Sequence, residues 1–273
     1  MSRDKDPIGR SDQHNARGIE LADRGWLDEA VKEFQRAILL DPEAAHPHDN
    51  LATVYAEQKR LGEALGEHLT ALRLDPESAA AHFNLASFLS AHAADLALES
   101  YRTALALDPV LPDAQYNLGV ALADEGRLEE ALAALRTAVE QAPEDPQPRH
   151  ELASLLLDEG AYRLAISQHK EVTRLEPEHF DAWLDLGIAF AQQGFYEEAE
   201  RAYDRAARLR PDDLLLNYNL GGLHALAGKP APALAALRRA LSIDPAKVRS
   251  WLEADRMFEP LKGIPEYEAL ARG

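Results

Sequence analysis

The amino-acid sequence predicts an all-α fold, a solenoid of short helix–turn–helix units stacked one on the next. Three observations carry this. Prolines recur at Pro42, Pro76, Pro109, Pro143, Pro177, Pro211 and Pro245, at spacings of 34, 33, 34, 34, 34 and 34. A proline lacks the N–H that a helix needs and pushes the preceding residue out of helical geometry, so each marks a helix end. When every unit is counted so that its proline is position 32, alanine fills position 20 each time: Ala30, Ala64, Ala97, Ala131, Ala165, Ala199 and Ala233. The composition, with 28% charged and 7% aromatic residues, suits stacked helices better than sheet. A fixed period of this length belongs to architectures in which each unit buries its apolar face against its neighbours.

In chain order, residues 1–10 are expected to be a disordered leader. The opening MSRDKDPIGRSDQ lacks the apolar stretch of a secretory signal. Seven units should follow over residues 11–246, at about 11–44, 45–78, 79–111, 112–145, 146–179, 180–213 and 214–247. The fourth shows the pattern well. Gln115, Leu118, Gly119 and Leu122 share one helical face, Leu128, Ala131, Leu135 and Ala138 another, and Glu125-Gly126-Arg127 is the hinge.

Two further positions hold small residues. Position 8 reads Gly18, Ala52, Ala86, Gly119, Ala153, Gly187 and Gly221; position 27 is alanine except for Val172. Small side chains at fixed points let two helices approach closely while larger neighbours interdigitate. Position 7 is leucine in six units, and Arg17 in the first suits a solvated end. The third unit is one residue short at Ala91-His92-Ala93, so its turn must be tighter or its first helix must end early. Pro230 falls in the first turn of a second helix, where proline is tolerated. After Pro245 the period fails: Asp255 stands where a small residue belongs, and MFEPLKGIPEYEALA follows. Residues 247–273 are therefore expected to be C-terminal capping helices that cover the last unit.

The pattern resembles the tetratricopeptide repeat, whose signature is a large residue at position 4, Leu-Gly/Ala at 7–8, Tyr at 11, Ala at 20, an aromatic at 24, Ala at 27 and Pro at 32. The best single match is Trp183, Leu186, Gly187, Phe190, Gly194, Tyr196, Ala199, Tyr203, Ala206 and Pro211. The resemblance implies a right-handed α-solenoid whose concave groove is lined by the first helix of each unit. It also implies a protein or peptide partner rather than catalysis.

Helical spacing is then expected to turn positions 2, 5, 6, 9, 12 and 13 toward the groove. Position 6 carries Asn50, Asn84, Asn117 and Asn219, interrupted by Glu151 and Asp185. An amide both donates to and accepts from a peptide backbone, so such a ladder suits an extended segment. It resembles the superhelical groove of O-linked N-acetylglucosamine transferase, where asparagines hold a bound peptide. Position 5 offers Phe83, Tyr116 and Tyr218 as anchors of the type enriched in binding hot spots. Position 13 offers Asp23, Glu57, Asp124 and Asp158, and position 2 offers Asp12, Asp113 and Asp181. An acidic wall would favour a Lys/Arg-bearing segment. The basic carboxylate clamp of the chaperone-binding members of the family is absent.

A net charge of −18 disfavours an extended nucleic-acid footprint, which needs clustered cations, and disfavours anionic membranes likewise. There are no cysteines, so thiolate chemistry and Cys-based zinc sites are excluded, and a reducing, cytoplasmic setting is expected. No run of about 18 apolar residues predicts a membrane span. The ten histidines are the place to look for chemistry. His14, His48 and His82 fall at position 4, and His68 and His169 at position 24, all packing slots. No metalloprotease, phosphate-loop or nucleophile-elbow motif is present, so neither enzyme, cofactor nor metal is expected. Three functions stay open: a monomeric peptide-binding adaptor, a scaffold that assembles on itself, and a targeting or regulatory subunit of a separate enzyme.

Overall fold

The computed structural model describes residues 7–90 and 93–272, and every regular element among them is helical. The chain divides into two compact units, Met1–Gln141 and Ala142–Gly273. The first holds α1 (Pro7–Asp23), α2 (Leu27–Leu40), α3 (Ala45–Glu57), α4 (Leu61–Leu74), α5 (Ala79–Leu89), α6 (Ala94–Leu107), α7 (Ala114–Asp124) and α8 (Leu128–Gln141). The second holds α9 (Pro146–Asp158), α10 (Tyr162–Leu175), α11 (Phe180–Gln192), α12 (Tyr196–Leu209), α13 (Leu214–Leu226), α14 (Pro230–Ile243) and α15 (Pro245–Ala254). A 3-10 helix (Arg256–Leu261) and α16 (Pro265–Arg272) complete it.

Within each unit every odd-numbered helix through α13 packs on the helix that follows it, and the second helix of a hairpin touches the first helix of the next. The small positions explain the closeness. All seven alanines at position 20 are fully buried. At position 8 the side chain is small because position 24 fills the gap. A Cβ on Gly18 would lie 2.5 Å from the Phe34 ring, on Gly119 2.7 Å from Leu135, and on Gly187 2.3 Å from the Tyr203 ring. Real contacts are never so short, so these helices close only over glycine. The hairpin turns need a left-handed residue, supplied by Gly25, Gly126, Gly160, Gly194 and Gly228 at φ between +69° and +78°. Lys59 takes the same turn at φ +63°.

Three details differ from or refine the sequence reading. α1 begins at Pro7, so Pro7–Arg10, expected in the disordered leader, are helical; the rest of that leader lies outside the described residues. In the short third unit α5 stops at Leu89, after 11 residues against 13 in α3, so the first helix does end early. Ala91 and His92 of its turn lie outside the described residues. The C-terminal segment packs on the last hairpin: Phe258, Leu261 and Tyr267 join Leu237, Leu241 and Val248 in one buried cluster.

Candidate functional site

In the first unit the predicted amides line polar pockets. One, of about 520 Å³, is bordered by His46, Asp49, Asn50, Asp75, Ser78 and Asn84 on α3, α5 and the connection between α4 and α5. A second, of about 220 Å³, is bordered by Ser87, Ser90, Tyr101, Asn117, Asp124 and Glu125.

The ladder itself is built differently from the sequence expectation. Asn50 Nδ2 donates to Asn15 Oδ1 at 2.9 Å, and Asn84 Nδ2 donates to Asp49 Oδ2 at 2.6 Å. These two amides stitch one hairpin to the one before it. Asn117 and Asn219 instead donate to carbonyls of their own helices, Asp113 O at 3.0 Å and Leu215 O at 2.9 Å. The four amides are thus not equivalent.

Position 5 is the clearest correction. It lies three residues before position 8 and therefore shares its inward face. Asn15, Asp49 and Leu184 are buried there. Phe83 is half-buried, with its ring centroid 5.9 Å from that of Tyr101, and Tyr116 is half-buried too. Tyr218, expected as an open anchor, is 4% exposed beneath the C-terminal segment. Its ring packs on Trp251 and Phe258, and its hydroxyl donates to Asp255 at 2.9 Å. Burial and that bond push its pKa up. Positions 2 and 13 do reach solvent: Asp12, Asp113, Asp181, Asp23, Glu57, Asp124 and Asp158 are all exposed. Asp185 is largely withdrawn from water, at 21% side-chain exposure.

Of the half-buried histidines at position 4, His14 and His48 meet carboxylates of the paired helix, and His82 Nε2 lies 3.0 Å from Pro76 O. His14 Nδ1 lies 2.6 Å from Glu33, and His48 Nδ1 lies 2.6 Å from Glu67. The bond from His14 holds the Glu33 carboxyl below its usual range. At position 24, His68 is buried with Nδ1 2.9 Å from Asp49 Oδ1. Asp49 therefore receives His68 on one oxygen and Asn84 on the other, a closed and satisfied buried triad.

The same three register positions in the second unit carry His150, His169 and Asp185. Their donor atoms all lie within 4.8 Å of one another. His169 is fully buried, and among the described residues neither of its ring nitrogens has a hydrogen-bond partner; Nδ1 of His150 is likewise unpartnered. The His150 and His169 rings meet edge-on at 5.6 Å, and Ser154 Oγ donates to Asp185 Oδ2 at 3.3 Å. Burial pushes His150 down to about 4 and His169 down to about 3, so both rings are neutral at pH 7. Burial pushes the Asp185 carboxyl up to about 6. The sequence reading took His169 as a packing residue and passed over His150. The usable signal was spacing: Asp49, His68 and Asn84 recur 101 positions on, three repeats later, as His150, His169 and Asp185.

Antiparallel helix pairs with a small-residue seam and a fixed register define this chain as a helical-repeat protein. The chain belongs to the tetratricopeptide repeat family: the family's model matches residues 15–79, 87–146, 150–194 and 184–247. Proteins built from this repeat generally mediate protein–protein interactions. No curated protein matches the sequence. Among solved structures, the chain is similar to YrrB, described as a TPR protein with an unusual peptide-binding site. They share 29% identity at a TM-score of 0.60, over 67% of this chain and 95% of that one. It shares its fold with PilF of Pseudomonas aeruginosa (22% identity, TM-score 0.63, 81% and 97% covered). The same is true of the C-terminal part of a repeat protein of Cytophaga hutchinsonii (18%, TM-score 0.70, 90% and 99%). Among the described residues no helix is long and apolar enough to cross a membrane.

Proposed function

We propose that this chain is a non-catalytic adaptor that holds an extended, Lys/Arg-bearing segment of a partner protein against the first helices of its repeats. The observation that carries the reading is the polar pocket of about 520 Å³ that gathers Asn50 and Asn84 beside Asp49 and Asp75. An amide has two N–H groups and a carbonyl, so one ladder bond leaves each asparagine with capacity for a bound backbone. The exposed carboxylates of positions 2 and 13 give the face its acidic character and would steer a basic segment toward it. The similar protein YrrB is described as having a peptide-binding site, which supports a peptide ligand.

The test is binding of a basic peptide library to the wild-type chain and to Asn50→Ala/Asn84→Ala. Peptides held by the wild type should weaken about tenfold in the double variant, and binding should fall as salt is added. Equal affinity for both proteins overturns the role of the amides; salt-independent binding overturns the electrostatic part.

Self-association is favoured by a different feature. On α10–α12 an apolar pocket of about 540 Å³, lined by Trp183, Leu186 and Phe190, carries Lys170, Arg201, Arg205 and Arg208 against Glu198 and Asp204. Its net positive lining complements an otherwise acidic chain. Light scattering that stays monomeric at all concentrations would remove this reading.

A further inference from the structure

We propose that His150, His169 and Asp185 form a divalent transition-metal site, and that zinc is the ion their donors suit. The residues come from α9, α10 and α11, and their donor atoms already lie within 4.8 Å of one another. Donors around a tetrahedral zinc sit about 3.3 Å apart, so the donors need to close by no more than about 1.5 Å. Two imidazoles and one carboxylate are a donor set that zinc accepts, and they leave a fourth position for water or for a donor from a partner.

The second, independent observation is the state of the histidines. His169 is 0% exposed, and among the described residues neither ring nitrogen has a hydrogen-bond partner; Nδ1 of His150 is buried and unpartnered as well. Buried polar atoms are nearly always satisfied, and two buried imidazoles with unpartnered nitrogens, each offering one donor atom beside the same carboxylate, are what an ion would complete. The Ser154 hydroxyl at 3.3 Å from Asp185 Oδ2 is the kind of outer contact that orients a ligating carboxylate. His179, whose ring lies 4.5 Å from that of His150, is engaged elsewhere: its Nδ1 accepts the Ala182 N–H and caps α11.

The first unit supplies an internal control. Asp49, His68 and Asn84 occupy the equivalent positions and satisfy one another at 2.9 and 2.6 Å, so nothing is left to bind an ion. The site in the second unit is that junction with Asp49 replaced by His150 and Asn84 by Asp185, so the carboxylate moves to the following helix. A bound ion would pin α9, α10 and α11 together, making the repeat stack metal-responsive there.

The experiment uses the full chain, stripped with a chelator and titrated with zinc alone, and with cobalt(II) as a coloured substitute. One equivalent should bind per chain, cobalt should develop the ligand-field bands of a four-coordinate site, and zinc should displace it. At free zinc a hundredfold above Kd, Tm should rise by about 5 °C. His150→Gln and Asp185→Asn should each weaken binding at least tenfold while keeping the wild-type helix content in chelator. His82→Gln, at a histidine of the first unit whose Nε2 lies 3.0 Å from Pro76 O, should leave zinc affinity unchanged. No binding, binding undiminished in both site variants, or equal loss in His82→Gln overturns the proposal. Were the site variants to misfold, imidazole NMR of the wild-type chain decides. Zinc must shift the resonances of both His150 and His169, and an unshifted pair overturns the site.

Discussion

The hairpins α3/α4 and α9/α10 have the same helix lengths and the same alanines at positions 8 and 20, yet their polar interiors behave in opposite ways. In the first, Asp49 stands between His68 and Asn84 and every strong donor finds an acceptor. In the second, His150 stands between His169 and Asp185, and imidazole nitrogens are left over. The difference comes from two exchanges, Asp49 for His150 and Asn84 for Asp185. A carboxylate at position 5 offers two acceptor oxygens, whereas an imidazole offers one nitrogen of each kind and repels a second protonated ring. The lesson is that the repeat lattice encloses polar groups at its hairpin junctions whether or not the three positions are chemically matched. Where they are mismatched, the junction is poised for something else to complete it.

The largest effect should come from breaking the satisfied junction. Asp49→Ala strips His68 and Asn84 of their buried acceptor and should cost about 3 kcal/mol in urea denaturation. A loss below about 1 kcal/mol would mean that the triad contributes little. The reciprocal change, His150→Asp with Asp185→Asn, copies the satisfied triad into the second unit. It should add about 1–2 kcal/mol in the presence of chelator and abolish zinc binding. Stability that falls instead would show the two junctions to be geometrically different.

The pH dependence sharpens the comparison next. Between about pH 4 and 6 the unfolded chain carries protons on His150 and His169, because the free imidazole titrates near 6.5. Folded, both rings are neutral and only Asp185 holds a proton. Two protons in the unfolded state against one in the folded make stability rise with pH, by about 1 kcal/mol per unit from these groups. His179 adds to the lowering of both histidines, Asp181 opposes it at His150, and Asp181 and Asp158 add to the raising of Asp185. In chelator, Asp185→Asn should therefore steepen the slope and His169→Phe should flatten it. Unchanged slopes in both would remove these residues as its source.

The smallest effect is in the turns. α9/α10 turns on Gly160 at φ +72°, whereas α3/α4 makes the same turn with Lys59 at φ +63°. Lys59→Gly should stabilise the chain by about 0.5–1 kcal/mol through relief of that strain, offset in part by the greater freedom of glycine when unfolded. Thermal melting reads the sign.

Much of this molecule was legible in its sequence, and the reason is local. Helix ends follow from prolines, turns from glycines, and the close seam from alanine and glycine at positions 8, 20 and 27. Each acts within one period of about 34 residues, so linear spacing is enough to place it. The acidic character of positions 2 and 13 was readable for the same reason. The face of position 5 was also within reach, because three residues separate it from the buried position 8, but the aromatic identity of Tyr218 drew the reading outward. What covers Tyr218 was not readable, since the segment around Phe258 is off the period and folds back across nearly 40 residues.

Only the tertiary structure decided which side chains meet between hairpins. His150, His169 and Asp185 are 19 and 16 residues apart along the chain and sit on three helices. Each looks like an ordinary surface or packing residue until antiparallel pairing and stacking bring their donor atoms within 4.8 Å. A period written in small residues specifies how helices pack. It does not record whether the polar groups enclosed by that packing satisfy one another, because that depends on matching residues from different repeats.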